Sequence, residues 1–233
     1  MSGKVVVFAP PARGPDDPRE LDDPRGDPLL RTRWMAVRTL ERLATDGTPT
    51  ISVLDEQATR EGLESAIDDE TRGLALFSHG RVAPRGAPAA TDDAVMGTDG
   101  PALDRDHLDL MRDRWGHAIA CRSGTEMAAQ ACAYGAECFV GYDISLRVEW
   151  APDALPEDVE PLVADLVTRT TRNLASGIRD ERRLLADVAA IAEEIADWCM
   201  KNPERSRDLY LETTAHQLVA RLVYRPSETS PGK

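Results

Sequence analysis

The order of periodicities along this chain predicts a doubly wound α/β domain with a mostly parallel sheet, followed by a helical C-terminal extension. Two observations carry the prediction. As far as Tyr142, short apolar, β-branched runs alternate with helical stripes, and parallel neighbours need such crossovers; after Trp150 the pattern is helical only. The division that follows is an α/β domain over residues 1–150, a helical extension over 151–225 that packs on it or docks a partner, and a flexible tail over 226–233.

Lys4–Ala9 is a β-branched run ended by Pro10 and Pro11, as a buried strand leaving a sheet would be. Residues 12–27, rich in Pro, Gly and Asp, read as a long loop. Leu30, Trp34, Val37, Leu40 and Ala44 recur at helical spacing, and Gly47 closes that helix. Thr50–Leu54 is a second strand, Thr59 to Glu70 a short polar helix, and Gly73–Ser78 a third strand ending in His79-Gly80. The Gly, Pro, Ala and Asp of residues 81–101 predict a mobile flap outside the core. Leu103, His107, Leu110 and Met111 predict a helix, and His117–Ala120 a fourth strand ending at Cys121.

Ser123 followed by Glu126 is a capping-box pattern for a helix from Thr125 to Gly135. Cys138–Tyr142 is a fifth strand with Asp143 at its end. Val159, Leu162, Val163, Leu166 and Leu174 form one later helical stripe, and Leu184, Val188, Ile191, Ile195 and Trp198 a second. A last helix, from Pro203 to about Val223, uses Leu211, Ala215, Leu218 and Leu222.

Composition excludes several classes. A net charge of −13 argues against a nucleic-acid backbone as ligand, because that binding rests on clustered cations. No apolar run approaches the ~20 residues of a membrane span, and the apolar stretch near the N-terminus is too short for a signal peptide. A cytoplasmic location is expected. Cys121, Cys132, Cys138 and Cys199 lack the C-x-x-C spacing of zinc sites and the density of a disulfide scaffold, so reduced thiols follow.

The chemistry-bearing residues stand at strand ends. In open α/β sheets ligands bind at the carboxyl ends of the strands, where both His79 and Cys121 fall. A cysteine before a helix N-terminus is placed to be a thiolate, and the Gly80 and Cys121 amides are candidates for an oxyanion hole. His107 is a rival better read as core, His117 begins its strand at the far end of the sheet, and His216 is solvated or core. Cys132 and Cys138 read as packing residues.

Three stretches in this order resemble the caspase-like (clan CD) cysteine peptidases, closest to the CHAT-type domains related to separase. They are Leu74 to Gly80, an apolar strand ending in His-Gly; Ala118 to Gly124, a strand ending in Ala-Cys before small residues; and Gly135 to Tyr142, a Gly-Ala-led apolar strand. The resemblance covers residues 5–142 and implies a cysteine endopeptidase with His79 as catalytic histidine, Cys121 as nucleophile and the Gly80 and Cys121 amides as oxyanion hole. It implies protein or peptide substrates, no metal or other cofactor, and an activating protein partner docked on the C-terminal helices. Ile119 stands where animal caspases have Gln, which favours the CHAT-like group. The family's last strand is found only if Ser145–Trp150 supplies it.

For substrate selection two residues point opposite ways: Asp143 to a basic side chain, Arg13 to an acidic one. A caspase fold kept as a non-catalytic binding or regulatory module is the competing function. A flavodoxin-like small-molecule binder ranks lower, since no Gly-x-Gly-x-x-Gly turn follows the first strand.

Overall fold

The computed structural model describes residues 3–11, 28–78, 80–81, 94–144, 146, 148, 150, 152–207 and 209–227. Strand β1 (Lys4–Ala9) is buried from Val5 onward, as the interior strand of a sheet covered on both faces must be. It pairs in parallel with β2 (Thr50–Leu54) on one side and β3 (Thr71–Phe77) on the other. β3 pairs in parallel with β7 (Trp115–Ile119), and β7 with β8 (Cys138–Tyr142). The sixth strand, β9 (Leu222–Pro226), closes the order β2-β1-β3-β7-β8-β9 and runs antiparallel to β8. The protein is therefore an α/β structure with a mostly parallel central sheet.

Side-chain alternation along the strands divides the core in two. Val5, Val7, Phe77, Trp115 and Val140 face helices α1 (Pro28–Thr45) and α4 (Glu160–Ala175), with α5 (Glu181–Lys201) and α7 (Leu211–Ala220) behind them in the same cluster. Val6, Phe8, Leu74, Leu76 and Phe139 face α2 (Arg60–Ala66), α3 (Glu126–Ala133) and the 3₁₀ segment Arg105–Met111. At the tightest crossing a Cβ on Gly73 would lie 2.0 Å from the Trp115 indole, so β3 and β7 meet there only because Gly73 has no side chain.

Several elements differ from the sequence reading, each for a local reason. Helix α2 is capped by Thr59, whose hydroxyl accepts the Gly62 N–H at 3.0 Å, but it stops at Ala66 because Asp68 and Thr71 hydrogen-bond each other and start β3 early. The region expected to be a flap contains a small sheet of β4 (Gly80–Arg81), β5 (Ala94–Met96) and β6 (Pro101–Leu103); Val95, Ala102 and Leu103 are fully buried, and residues 82–93 lie outside the described set. The helix predicted around His107 is a 3₁₀ segment interrupted at His107 itself.

The final predicted helix is broken. A short α6 (Pro203–Ser206) precedes Tyr210 in a left-handed conformation, and α7 ends at Ala220. Leu222 and Val223, expected in that helix, begin β9 instead, so the last strand comes from here and not from Ser145–Trp150, whose described residues form no strand. No helix among the described residues is long and apolar enough to cross a membrane.

Candidate active site

Phe77 and Ile119 are register partners at the carboxyl ends of β3 and β7. The pairing extends one step further: the Ser78 N–H donates to Ile119 O at 3.3 Å. The buried Ser78 hydroxyl also donates to Met96 O, fastening the end of β3 to β5 of the small sheet, where the Gly80 backbone pairs with Val95. His79, between them in sequence, lies outside the described residues, as does Arg13.

Two residues beyond Ile119 the chain reaches Cys121 in a tight turn. The Ser123 N–H returns to Ala120 O at 3.3 Å, and Arg122, the third residue of this turn, has φ of 57°, a left-handed conformation that costs a non-glycine residue about 1–2 kcal/mol. The turn is pinned to the neighbouring chain by Arg122 N–H to Ile144 O and Gly124 N–H to Tyr142 O, both at 2.9 Å. Such closeness needs two glycines. A Cβ on Gly141 would fall 2.6 Å from Gly124 N, and one on Gly124 would fall 2.8 Å from Gly141 C and 3.0 Å from the Val223 side chain.

The capping box predicted from Ser123 and Glu126 does not form. Helix α3 is led by Thr125, which makes no side-chain cap, while Ser123 is buried three residues before the helix. Its hydroxyl lies 3.0 Å from Ala118 O and 2.9 Å from Ala120 O, between which its single proton is shared, and it accepts the Tyr142 N–H at 3.3 Å. Residues 121–125 are held as a turn against β8, which is why the helix starts later than the motif suggests.

The four thiols are all free, and Cys121 alone among them is half-exposed. Burial pushes the Cys138 thiol up to about 12 and raises that of Cys199, so neither supplies thiolate near neutral pH. Cys132 donates its S–H to Arg225 O at 3.3 Å. The Cys121 amide N–H has no backbone acceptor among the described residues.

The other predicted residues divide. Asp143 extends from the end of β8 on the same edge as Cys121, but its carboxylate is 3.7 Å from the Arg221 guanidinium, a neighbour that sequence spacing did not signal. His107 is not core: its Nδ1 is 2.6 Å from Asp104 and its Nε2 3.1 Å from Arg60, which also binds Asp104 at 2.7 Å. His117 does not begin its strand. It sits in mid-strand, fully buried, with Nδ1 2.7 Å from the Thr171 hydroxyl. His216 is exposed. A polar cleft of about 310 Å³ among Asp69, Arg72, Asp109, Arg112, Asp113 and Arg114 lies at the amino ends of β3 and β7, the edge opposite Cys121. Neither a known family model nor any curated protein matches the chain.

Proposed function

We propose that the protein is a cysteine endopeptidase of caspase and CHAT-like type, acting through a Cys121–His79 dyad. The observation that carries the reading is the register of β3 and β7: Phe77 stands opposite Ile119, and the next residues but one in the two chains are His79 and Cys121. Supporting it are the half-exposure of Cys121, the left-handed residue beside it, and a strand-turn-helix arrangement of the kind that presents nucleophiles. A sixth strand after the helical segment also supplies the element that the caspase-like resemblance calls for.

In this reading the Cys121 sulfur attacks a peptide carbonyl, and the Gly80 and Cys121 amides bind the oxyanion. As the C–N bond breaks, His79 delivers its proton to the leaving amine. Water then attacks the thioester, releasing a carboxylic acid and the free thiol. Met200, 71% exposed on α5, and Tyr210, 50% exposed before α7, offer apolar contact to an activating protein on the C-terminal helices.

The test combines cleavage with thiol labelling. Cys121→Ala and His79→Ala should each abolish cleavage of a peptide library, and iodoacetamide at pH 7 should modify Cys121 well before Cys132, Cys138 or Cys199. Slow labelling of all four at one rate, with no cleavage, would sink the peptidase reading and leave a non-catalytic binding module of the same fold.

A further inference from the structure

The β7–β8 ladder stops short. Its register runs through Trp115–Cys138, Gly116–Phe139 and His117–Val140, yet β8 continues to Tyr142. In a parallel ladder of this register the next bond would join the Tyr142 N–H to Ala118 O. The Ser123 hydroxyl occupies that link, accepting from Tyr142 N–H and sharing its one proton between Ala118 O and Ala120 O, and it does so fully buried. One hydroxyl oxygen stands where the next ladder bond would form, and the Cys121 turn packs beside it, with Gly124 against Gly141.

We propose that Ser123 is a positioning residue for Cys121: its hydroxyl acts as a wedge that holds β7 and β8 apart at their carboxyl ends and so fixes the turn that presents the sulfur. Without the hydroxyl, the Tyr142 N–H and Ala118 O are each left with an unmet partner in a buried place, and the strands gain by closing on each other directly. Closure would draw Ser123 and Gly124 out of their seat and carry Cys121 with them. The role rests on Cys121 being the nucleophile of the proposed peptidase.

The experiment is the rate of Cys121 alkylation by iodoacetamide from pH 5 to 10 in the full chain, with Cys132, Cys138 and Cys199 followed in the same samples by peptide mapping. Wild-type Cys121 should react at pH 6 many-fold faster than free N-acetylcysteine in the same buffer, as an activated nucleophile does. Ser123→Ala should slow Cys121 at neutral pH by roughly ten- to a hundred-fold, the scale of a small misplacement of a reacting group, while the three buried thiols stay slow. Gly124→Ala, which leaves the hydroxyl but crowds the seat, should copy that loss. Ser123→Thr, if the three buried thiols remain protected in it, should retain the wild-type profile.

An ordinary wild-type profile overturns the dyad reading by itself. A shifted wild-type profile that Ser123→Ala leaves unchanged overturns the positioning role alone. Labelling of all four cysteines together in Ser123→Ala overturns it as well, since that marks a general fold requirement.

Discussion

His117 illustrates how one residue ties this sheet to its covering helix at a cost. Its imidazole is fully buried, edge-on to Phe77 with ring centroids 6.3 Å apart, and held by Thr171 of α4, while its Nε2 has no partner among the described residues. Burial holds its pKa down at about 3, against 6.5 when free. The unfolded chain therefore takes up this proton near pH 6.5 and the folded chain only near pH 3. Stability is complete above pH 6.5 and is lost as pH falls toward 3, at ~1.4 kcal/mol per unit of separation, a few kcal/mol in all. Urea midpoints should fall between pH 7 and 4, and His117→Gln should flatten that fall. Glycines give a second contrast at this scale. Gly141→Ala meets backbone and hydroxyl at 2.6 Å, whereas Gly177, at φ of 86°, has nothing within 4 Å. The first substitution should cost about 2–3 kcal/mol by overpacking and the second about 1 kcal/mol by strain, distinguishable by urea denaturation.

Among the elements, β9 has most to do with the site although it lies farthest from it in sequence. It caps the edge of β8, sets Val223 against Gly124, takes the Cys132 S–H at Arg225 O, and runs Tyr224 opposite Val140. The Asp143 N–H also donates to Arg221 O at 3.2 Å, one step beyond the β8–β9 ladder. Removing residues 221–233 would strip these contacts and leave β8 as a bare edge, a known route to aggregation. The truncated chain should label readily at Cys132 and Cys138, which maleimide modification followed by peptide mapping would register. Helix α3 makes the complementary point. Its capping signal, Ser123 with Glu126, is sound as a pattern, but the serine hydroxyl finds two backbone partners in the sheet and a third in the turn after β7 before the helix can use it.

At the scale of the molecule, the C-terminal helices share the core of the sheet. Val163, Leu174, Leu184, Val188, Ile195, Leu211 and Leu218 belong to one apolar cluster with Val5, Val7, Phe77 and Trp115, and α4 packs on α1, β3 and β7. Paired charges run over the same junction: Arg172 holds Asp46 bidentately at 2.7 and 2.9 Å, and Arg38 reaches Glu160 at 2.8 Å. Such exposed pairs add little, so the shared apolar burial governs cooperativity. Urea unfolding followed by tryptophan fluorescence, with Trp115 and Trp150 buried, and by far-UV circular dichroism should give one coincident transition. Two separated transitions would mean that residues 151–225 fold as their own unit.

Elements whose pattern is local were legible in the amino-acid order. Lys4–Ala9, Thr50–Leu54 and Cys138–Tyr142 have the bounds their apolar runs predict, and the stripes of α4 and α5 face the core as their spacing requires, because periodicity and burial are two readings of one fact. The residue pattern also put His79 and Cys121 after the third and fourth strands of the parallel order. Tertiary structure alone decided that those strands are neighbours in register, that Leu222–Pro226 leaves the helix for the edge of β8, and that Ser123 serves the sheet and not the helix. Each depends on partners far away in the chain, and a hydrogen bond or strand pairing made at such distance leaves no period in the sequence to read.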